Sequence, residues 1–484
     1  MLYKSTRGAE RGVSFEDALL SAYATDGGLY VPEHLPCFEL EQLRAWASLS
    51  YPQVCARVLS LFSGLPVEQC DGMTARAFAG WNGGGANPPL PLRRVGGRLL
   101  LETGEGPTFA FKDIGQQVVA QLLNHFLGSK GRHANVLVET SGDTGPAAVE
   151  GVRGCDHVDI FCLYPAGRVS PVQELQLITV DAPNVHVYRT AGDTDEQATM
   201  LKRIFMDKAF VAAHNVVSIN SINWARIASQ SSYYVWAYLQ ACPACTEPVT
   251  FFVPTGAFGN GMGGFLAKRM GLPIGRIVCA TNANDIVHRT LASGDMSMGA
   301  NVATESPAMD IQFAYNLERV LFYICNENPA TLGAYMAQLE GSGAVQLDPL
   351  VVGRLRETFS SAAVSDEDTL ATMAAHWRDH GYMLCPHSAI GVRAAERLAL
   401  PGKQICVLTA HPCKFEDAVL KATGRKPDFP PAVQKMKTMP HKFKWLKDDA
   451  PVGVDKLDHW KATLVADVVA RAEQVARSKA KSKL

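Results

Sequence analysis

Through the middle of the chain, short apolar runs of strand length alternate with stretches whose apolar positions recur at helical spacing. Strands are predicted at 136–139, 158–164, 185–188, 250–253, 276–280 and 404–408. The stretch carrying Val118, Val119, Leu122, Leu123 and Phe126 is typical of the helices between them. Such alternation predicts an α/β fold in which helices cover both faces of parallel sheets. Residues 1–95 lack the alternation; they read as a mostly helical module closed by a Gly-, Asn- and Pro-rich loop at 82–91. After position 430 the pattern gives way to Lys-, Ala- and Ser-rich sequence, which predicts a basic surface appendage over 431–484. No repeat of solenoid period is visible.

Two of the strands run into glycine-rich loops followed by helices. The first passes from 136–139 through Thr140, Ser141, Gly142, Asp143, Thr144 and Gly145 into a helix over 146–152. The second passes from 250–253 through Pro254, Thr255, Gly256, Ala257, Phe258, Gly259, Asn260 and Gly261 into a helix over 262–270. Small residues let backbone N–H groups approach an anion there, and the helix N-terminus adds partial positive charge. Positions 259–264 also fit G-x-G-x-x-G. A dinucleotide site would want an acidic residue at the end of the next strand, where Thr281 and Asn282 stand and Asp285 comes too late. A single phosphate is the better fit.

The segment GPTFAFKD at 106–113 sets Lys112 behind Phe109, Ala110 and Phe111 and ahead of a helix. An amine held against aromatic carbons loses hydration of its charged form and becomes a usable nucleophile. A nucleophilic lysine, a phosphate loop and a second anion loop are together the parts of a pyridoxal phosphate (PLP) enzyme.

Six motifs make that reading specific: GPTFAFKD, SGDTG at 141–145, NSINWAR at 220–226, the TGAFGN loop at 255–260, AMDI at 308–311 and TAHPCKF at 409–415. Their order, with YKSTRG at 3–8 and DGGLYVP at 26–32, resembles the threonine synthase family to about Arg425, in its longer bacterial and fungal form and in the animal threonine synthase-like proteins. The resemblance implies the tryptophan-synthase-β type of PLP fold, with two parallel-sheet domains and a cleft within 96–430. It implies that Lys112 carries the cofactor and serves as acid and base. Gly256, Ala257, Phe258, Gly259 and Asn260 would hold the cofactor phosphate, Asp143 would face its ring, and Thr409 would meet the pyridine nitrogen. Ser141 and Thr144 would hold the substrate carboxylate; Asn223 and Arg226, one helical turn apart, would hold a leaving phosphate. The implied activity is that of a PLP-dependent lyase converting O-phosphohomoserine and water to threonine and phosphate. Two alternatives stand beside it: a phospho-lyase giving 2-oxobutyrate, ammonia and phosphate, and a catalytically silent binding protein, against which intact Lys112, Thr409 and both loops count. The chain departs from the family pattern at Glu105, where histidine is usual, and at Ala257, where the family loop commonly has asparagine.

Composition changes this picture little. The 484 residues suit about three domains, and 47% are apolar, enough for large cores. A net charge of −1 provides no broad field for nucleic acid or membrane. No apolar run reaches the roughly 18 residues of a spanning helix. The start, MLYKSTRG, lacks a signal-peptide core. Most of the twelve cysteines, such as Cys155, Cys162, Cys279, Cys385 and Cys406, read as reduced core thiols. Cys242 and Cys245 form a CxxC without the second pair of ligands a zinc site needs, so neither metal nor redox use is expected of it. His387 and His411 each lie beside a proline and are expected to pack rather than catalyse. The expected partner is a small phosphorylated amino acid, acting on a monomer or homodimer. Ser482, Lys483 and Leu484 match a peroxisomal address, with the cytoplasm as the alternative.

Overall fold

Parallel sheets form where the apolar runs predict them, in a computed structural model that describes residues 1–481 apart from Ala22, Gly85 and Ala86. The terminal address at Ser482, Lys483 and Leu484 lies outside the described residues. The chain forms two compact units, each drawn from two stretches of sequence.

The first unit comprises residues 1–119 and 221–430. Its six-stranded sheet has the order Phe359–Ala363, Ile274–Thr281, Val249–Pro254, Lys403–Leu408, Arg98–Glu102, Leu92–Val95. Only the edge strand Leu92–Val95 is antiparallel to its neighbour. Val249–Pro254 is buried along its whole length, which is why VTFFVP reads as a continuous apolar run rather than an alternating one. The helix Trp224–Ala241 is buried nearly all round despite its serines. Ser229, Ser231 and Ser232 each donate to a carbonyl three residues back at 2.6–2.9 Å, so burial leaves these hydroxyls satisfied. The amino-terminal module has the expected helices, Phe15–Leu20, Leu40–Trp46, Tyr51–Ser63 and Val67–Ala77, and also a small antiparallel sheet with Leu2–Ser5 between Val13–Ser14 and Tyr30–Pro32. Strands of two to four residues are too short to show a two-residue period. The Trp224 indole donates to the Tyr3 hydroxyl at 3.0 Å, and Tyr3 donates to Phe62 O at 2.7 Å, tying the module to the long helix.

The second unit comprises residues 120–220 and 431–484. Its five strands, all parallel, run in the order Lys444–Leu446, Val185–Thr190, Val158–Pro165, Ala134–Glu139, Val216–Val217. The carboxy-terminal tail, expected as an appendage, here supplies an edge strand and the helix Lys456–Lys481. Trp460, Leu464 and Val468 form a stripe at four-residue spacing, buried with Phe161, Tyr188 and Leu201. The abundant lysines conceal that stripe in a composition-based reading. No described helix is long and apolar enough to cross a membrane.

Candidate active site

In the first unit Arg98–Glu102, Lys403–Leu408 and Val249–Pro254 are neighbouring parallel strands. Their carboxyl ends therefore open on one edge of the sheet, where open α/β sheets receive ligands. The first strand leads into GPTFAFKD, the second into Thr409 and the third into TGAFGN. Beyond the sheet the first two exits continue to pair. Thr103 N donates to Leu408 O at 3.2 Å, Ala110 bridges antiparallel to Ala410, Phe111 N donates to Thr409 O at 2.8 Å, and His411 N donates to Phe109 O at 3.0 Å. Lys112 thus follows directly on a residue bonded to Thr409, and it opens the helix Lys112–Ser129.

Lys112 is half-buried, with Nζ 5.9 Å from the centroid of the Phe111 ring, so the aromatic setting expected from FAFK is present. Two residues that sequence reasoning passed over shape this loop. Asp113 accepts from Thr108 N at 2.9 Å and from Thr108 Oγ1 at 2.5 Å, and buried Lys414 donates to Thr108 O at 2.7 Å. An acidic residue in the first helical turn was the available signal for Asp113; for Lys414 the only hint was its place in TAHPCKF.

The TGAFGN loop turns into the helix Gly259–Arg269 through Phe258, which takes the left-handed conformation at φ +63°. Asn260 ties the loop to the strand end: its Nδ2 donates to Pro254 O at 2.7 Å, and its Oδ1 accepts from Thr255 Oγ1 at 2.7 Å and Gly261 N at 2.9 Å. Among the described residues nothing accepts from the successive N–H groups of Ala257, Phe258, Gly259 and Asn260. Four such donors at a helix N-terminus fit a phosphate monoester. They belong to the main chain, so Ala257 in place of asparagine leaves them intact. A Cβ on Gly256 would stand 3.0 Å from Ile311 Cδ1 and 3.2 Å from Met309 Cα, so the AMDI segment leaves room for glycine alone. His387 Nε2 accepts from Ala308 N at 3.1 Å and holds that segment, the packing role expected of it.

Thr409 is buried, and its N–H donates to Ser388 Oγ at 3.1 Å. No described residue hydrogen-bonds its hydroxyl, which suits a contact to a ring nitrogen. His411 Nδ1 accepts from Cys413 N at 3.1 Å, and burial pushes the imidazole down to about 4, so it stays neutral at physiological pH. Arg226 sits in the first turn of Trp224–Ala241, only 3% exposed, and burial pushes its guanidinium down to about 10. Its Cβ and Cγ would lie 3.5 Å from a Cβ on Gly115, three residues beyond Lys112 on the same helix face. Asn223 begins the helix that carries Arg226. It accepts from Ala225 N at 3.1 Å as the helix cap and donates to Leu19 O at 2.8 Å. Glu105 is partly buried, and burial together with the nearby charge of Glu102 raises its carboxyl above the usual value against the opposing pull of Arg93.

The SGDTG loop belongs to the second unit, where Thr140 organises it. Thr140 Oγ1 accepts from Gly142 N at 3.0 Å and Gly145 N at 2.9 Å, and donates to Gly142 O at 3.0 Å. A Cβ on Gly145 would stand 2.9 Å from Thr140 Cβ and 3.0 Å from Cys162 Sγ. Ser141 is exposed and Thr144 half-buried at the start of the helix Thr144–Val152, while buried Asp143 accepts from Gln173 Nε2 at 2.8 Å.

Comparison with known proteins identifies the family. The family model for the threonine synthase N terminus matches residues 2–78, that for pyridoxal-phosphate dependent enzymes residues 83–410, and that for the threonine synthase C-terminal region residues 388–456. The chain is 42% identical over 441 residues to threonine synthase-like 2 of Mus musculus, covering 89% of this chain and 90% of the relative. It is 41% identical over 439 residues to threonine synthase of Pseudomonas aeruginosa, covering 89% and 92%. The crystal structure of PLP-bound threonine synthase from Brucella melitensis superposes with a TM-score of 0.89 at 37% identity, over 96% of this chain and 99% of that one. The chain therefore belongs to the threonine synthase family and is a PLP-dependent lyase.

Proposed function

We propose that the chain is a threonine synthase, converting O-phosphohomoserine and water to threonine and phosphate. The observation that carries this reading is Arg226, a buried guanidinium on a helix packed against the face of Lys112. A planar guanidinium fork there matches a phosphate group carried by the substrate in bidentate fashion. Relatives that bear the name threonine synthase, in Pseudomonas aeruginosa and Schizosaccharomyces pombe, cover 89% and 88% of the chain.

When bound, pyridoxal phosphate supplies an electron sink for carbanions beside the substrate nitrogen. The chain does the rest. The Lys112 amine would hold the cofactor and, as general base, would move the Cα proton of the substrate. The N–H groups of 257–260 would hold the cofactor phosphate, with Gly256 admitting close approach and Asn260 fixing the loop. The Thr409 hydroxyl would serve the ring nitrogen as a neutral partner, which would limit ring protonation. Ser141 and Thr144 receive the substrate carboxylate at a helix N-terminus. Asp143, whose carboxylate is held by Gln173, would face the cofactor ring. Arg226 takes the leaving phosphate, and Asn223 positions it by capping the same helix.

A second reading, a phospho-lyase giving 2-oxobutyrate, ammonia and phosphate, is favoured by Glu105. Burial, with the nearby charge of Glu102, raises its carboxyl above the usual value in the loop ahead of Lys112, which favours its proton-carrying form. Both reactions consume one water per substrate, so products separate them. Supplying O-phosphohomoserine and quantifying phosphate, threonine and 2-oxobutyrate together is expected to show phosphate matched mainly by threonine. Phosphate matched by 2-oxobutyrate without threonine would make the enzyme a phospho-lyase, and no phosphate release would remove O-phosphohomoserine as substrate.

A further inference from the structure

Cys242 and Cys245 take no part in the reaction, yet their surroundings differ from those of the other buried thiols. Cys242 caps the helix Trp224–Ala241, and the chain then turns through Pro243 and Ala244, with Cys245 N donating to Cys242 O at 3.0 Å. A four-residue turn closed in this way keeps its end Cα atoms within about 7 Å, overlapping the roughly 4.4–6.8 Å that a disulfide spans. Cys245 adopts the left-handed conformation at φ +53°, uncommon for a side chain other than Gly, Asn or Asp. Both thiols approach the Tyr238 hydroxyl, which itself donates to Glu247 O at 2.9 Å.

The two thiols are unequal. Burial alone would raise Cys242, but hydrogen bonds from the backbone N–H groups of Glu247 and Thr246, with one between its sulfur and the Thr246 hydroxyl, outweigh it and bring the thiol below its usual value. Cys245 is raised, chiefly by burial and then by the charge of Cys242. Cys55 and Cys406, by contrast, are pushed up to about 12 by burial in the core. The turn is also anchored: Arg44 Nε donates to Ala244 O at 3.1 Å, and Lys403 Nζ reaches Ala241 O and Glu247 at 2.8 Å each.

We propose that Cys242 and Cys245 are a thiol–disulfide exchange site, with Cys242 as the attacking and Cys245 as the resolving sulfur, whose co-reactant is a small disulfide of the oxidised-glutathione class. Cys242 thiolate attacks one sulfur of the small disulfide, forming a mixed disulfide and expelling one small thiolate. Cys245, after losing its proton, attacks the Cys242 sulfur, closing the protein disulfide and expelling the second. The two protons given up by the cysteines end on the released thiols, and the two electrons pass to the small molecule.

The test incubates the holoenzyme with oxidised glutathione, blocks remaining thiols by alkylation and maps peptides without reduction. The expected product is one peptide holding both cysteines, lighter by two hydrogens and restored by dithiothreitol. Exposed Cys37 is the internal control, because reactivity set by exposure alone would modify it instead. Cys245→Ser is expected to trap glutathione on Cys242 about ten-fold faster than Cys242→Ser traps it on Cys245. Wild-type enzyme modified at Cys37 while both turn cysteines remain alkylatable overturns the proposal, whatever the variants do. Equal trapping rates overturn the assignment of attacking and resolving roles.

Discussion

In the loop that follows Val249–Pro254, four successive N–H groups point to no acceptor among the described residues, and a side chain beyond them, Asn260, does the bracing. In the loop that follows Ala134–Glu139 the bracing comes from Thr140, whose hydroxyl occupies the N–H groups of Gly142 and Gly145. Both follow the same strand, glycine loop and helix grammar, but they differ in which donors remain. The first keeps enough main-chain donors for a phosphate. The second has given two of its own to itself and offers the hydroxyls of Ser141 and Thr144 beside a helix terminus, which suits a carboxylate. Bracing residues therefore separate two candidate anion loops that composition alone makes alike.

The comparison has meaning only if both loops serve chemistry at Lys112. Lys112→Ala is expected to abolish covalent cofactor attachment and lower turnover by about 10³-fold or more, since it removes both anchor and proton carrier. Borohydride reduction of the holoenzyme followed by peptide mapping locates the attachment. A label on Lys414, the buried lysine already donating to Thr108 O, would move the site and detach the two loops from it.

The scaffold behind the Thr140 loop can be broken by acid. Burial alone would raise the Asp159 carboxyl, but hydrogen bonds from His133, His186 and Arg471 outweigh it and hold the group well below the usual carboxylate range. A depressed folded-state value stabilises the fold above the unfolded value of about 3.9 and loses that stabilisation as pH falls through the folded value. Asp159→Asn is therefore expected to cost about 3 kcal/mol near neutral pH and little at the lowest pH at which the protein stays folded. Denaturant unfolding across pH 2–7 checks this, roughly spanning the carboxylate window. A cost that does not shrink with acid would mean that packing, not charge, is lost.

Much of this was legible in the sequence because central parallel strands must be apolar throughout. All six predicted strands occur, lengthened by up to two residues at an end. The motif order brought Lys112, TGAFGN and Thr409 into one reading, and the structure sets them at adjacent strand ends. The rest was hidden for physical reasons. Edge strands such as Leu92–Val95 and Lys444–Leu446 carry exposed charges and lack the apolar signature. The tail helix hides its Trp460 stripe among lysines. Asn223 in NSINWAR also caps the helix, a second use of the side chain that sequence spacing does not reveal. Thr140 and Asp113 act on backbone groups brought near only by the fold.

Exchanging the bracing residues sharpens the comparison further. Asn260→Ala removes three hydrogen bonds from the phosphate loop and is expected to weaken PLP by about 10–100-fold, from about 1–3 kcal/mol of lost support. Thr140→Val is expected to raise KM for O-phosphohomoserine by a similar factor while leaving PLP affinity nearly unchanged. Cofactor titration followed by visible absorbance, alongside steady-state kinetics, measures both. If Thr140→Val weakens the cofactor as much as Asn260→Ala does, the division of labour between phosphate and carboxylate fails.

The smallest expected effect concerns Ala257, where this chain lacks the side-chain amide common in its family. If the cradle works through main-chain N–H groups, restoring an amide adds little, because those donors already supply the phosphate contacts and a half-exposed side chain competes with water. Ala257→Asn is thus expected to tighten PLP by no more than about three-fold, below about 1 kcal/mol. Asn260→Ala in the same background should still weaken it by the full factor, since bracing and donation are separate functions of the loop. Titration of both single variants and the double variant forms a cycle that isolates any coupling. A gain from Ala257→Asn of ten-fold or more, or one that rescues Asn260→Ala, would show that side chains rather than the backbone carry the phosphate, and the contrast with the Thr140 loop would disappear.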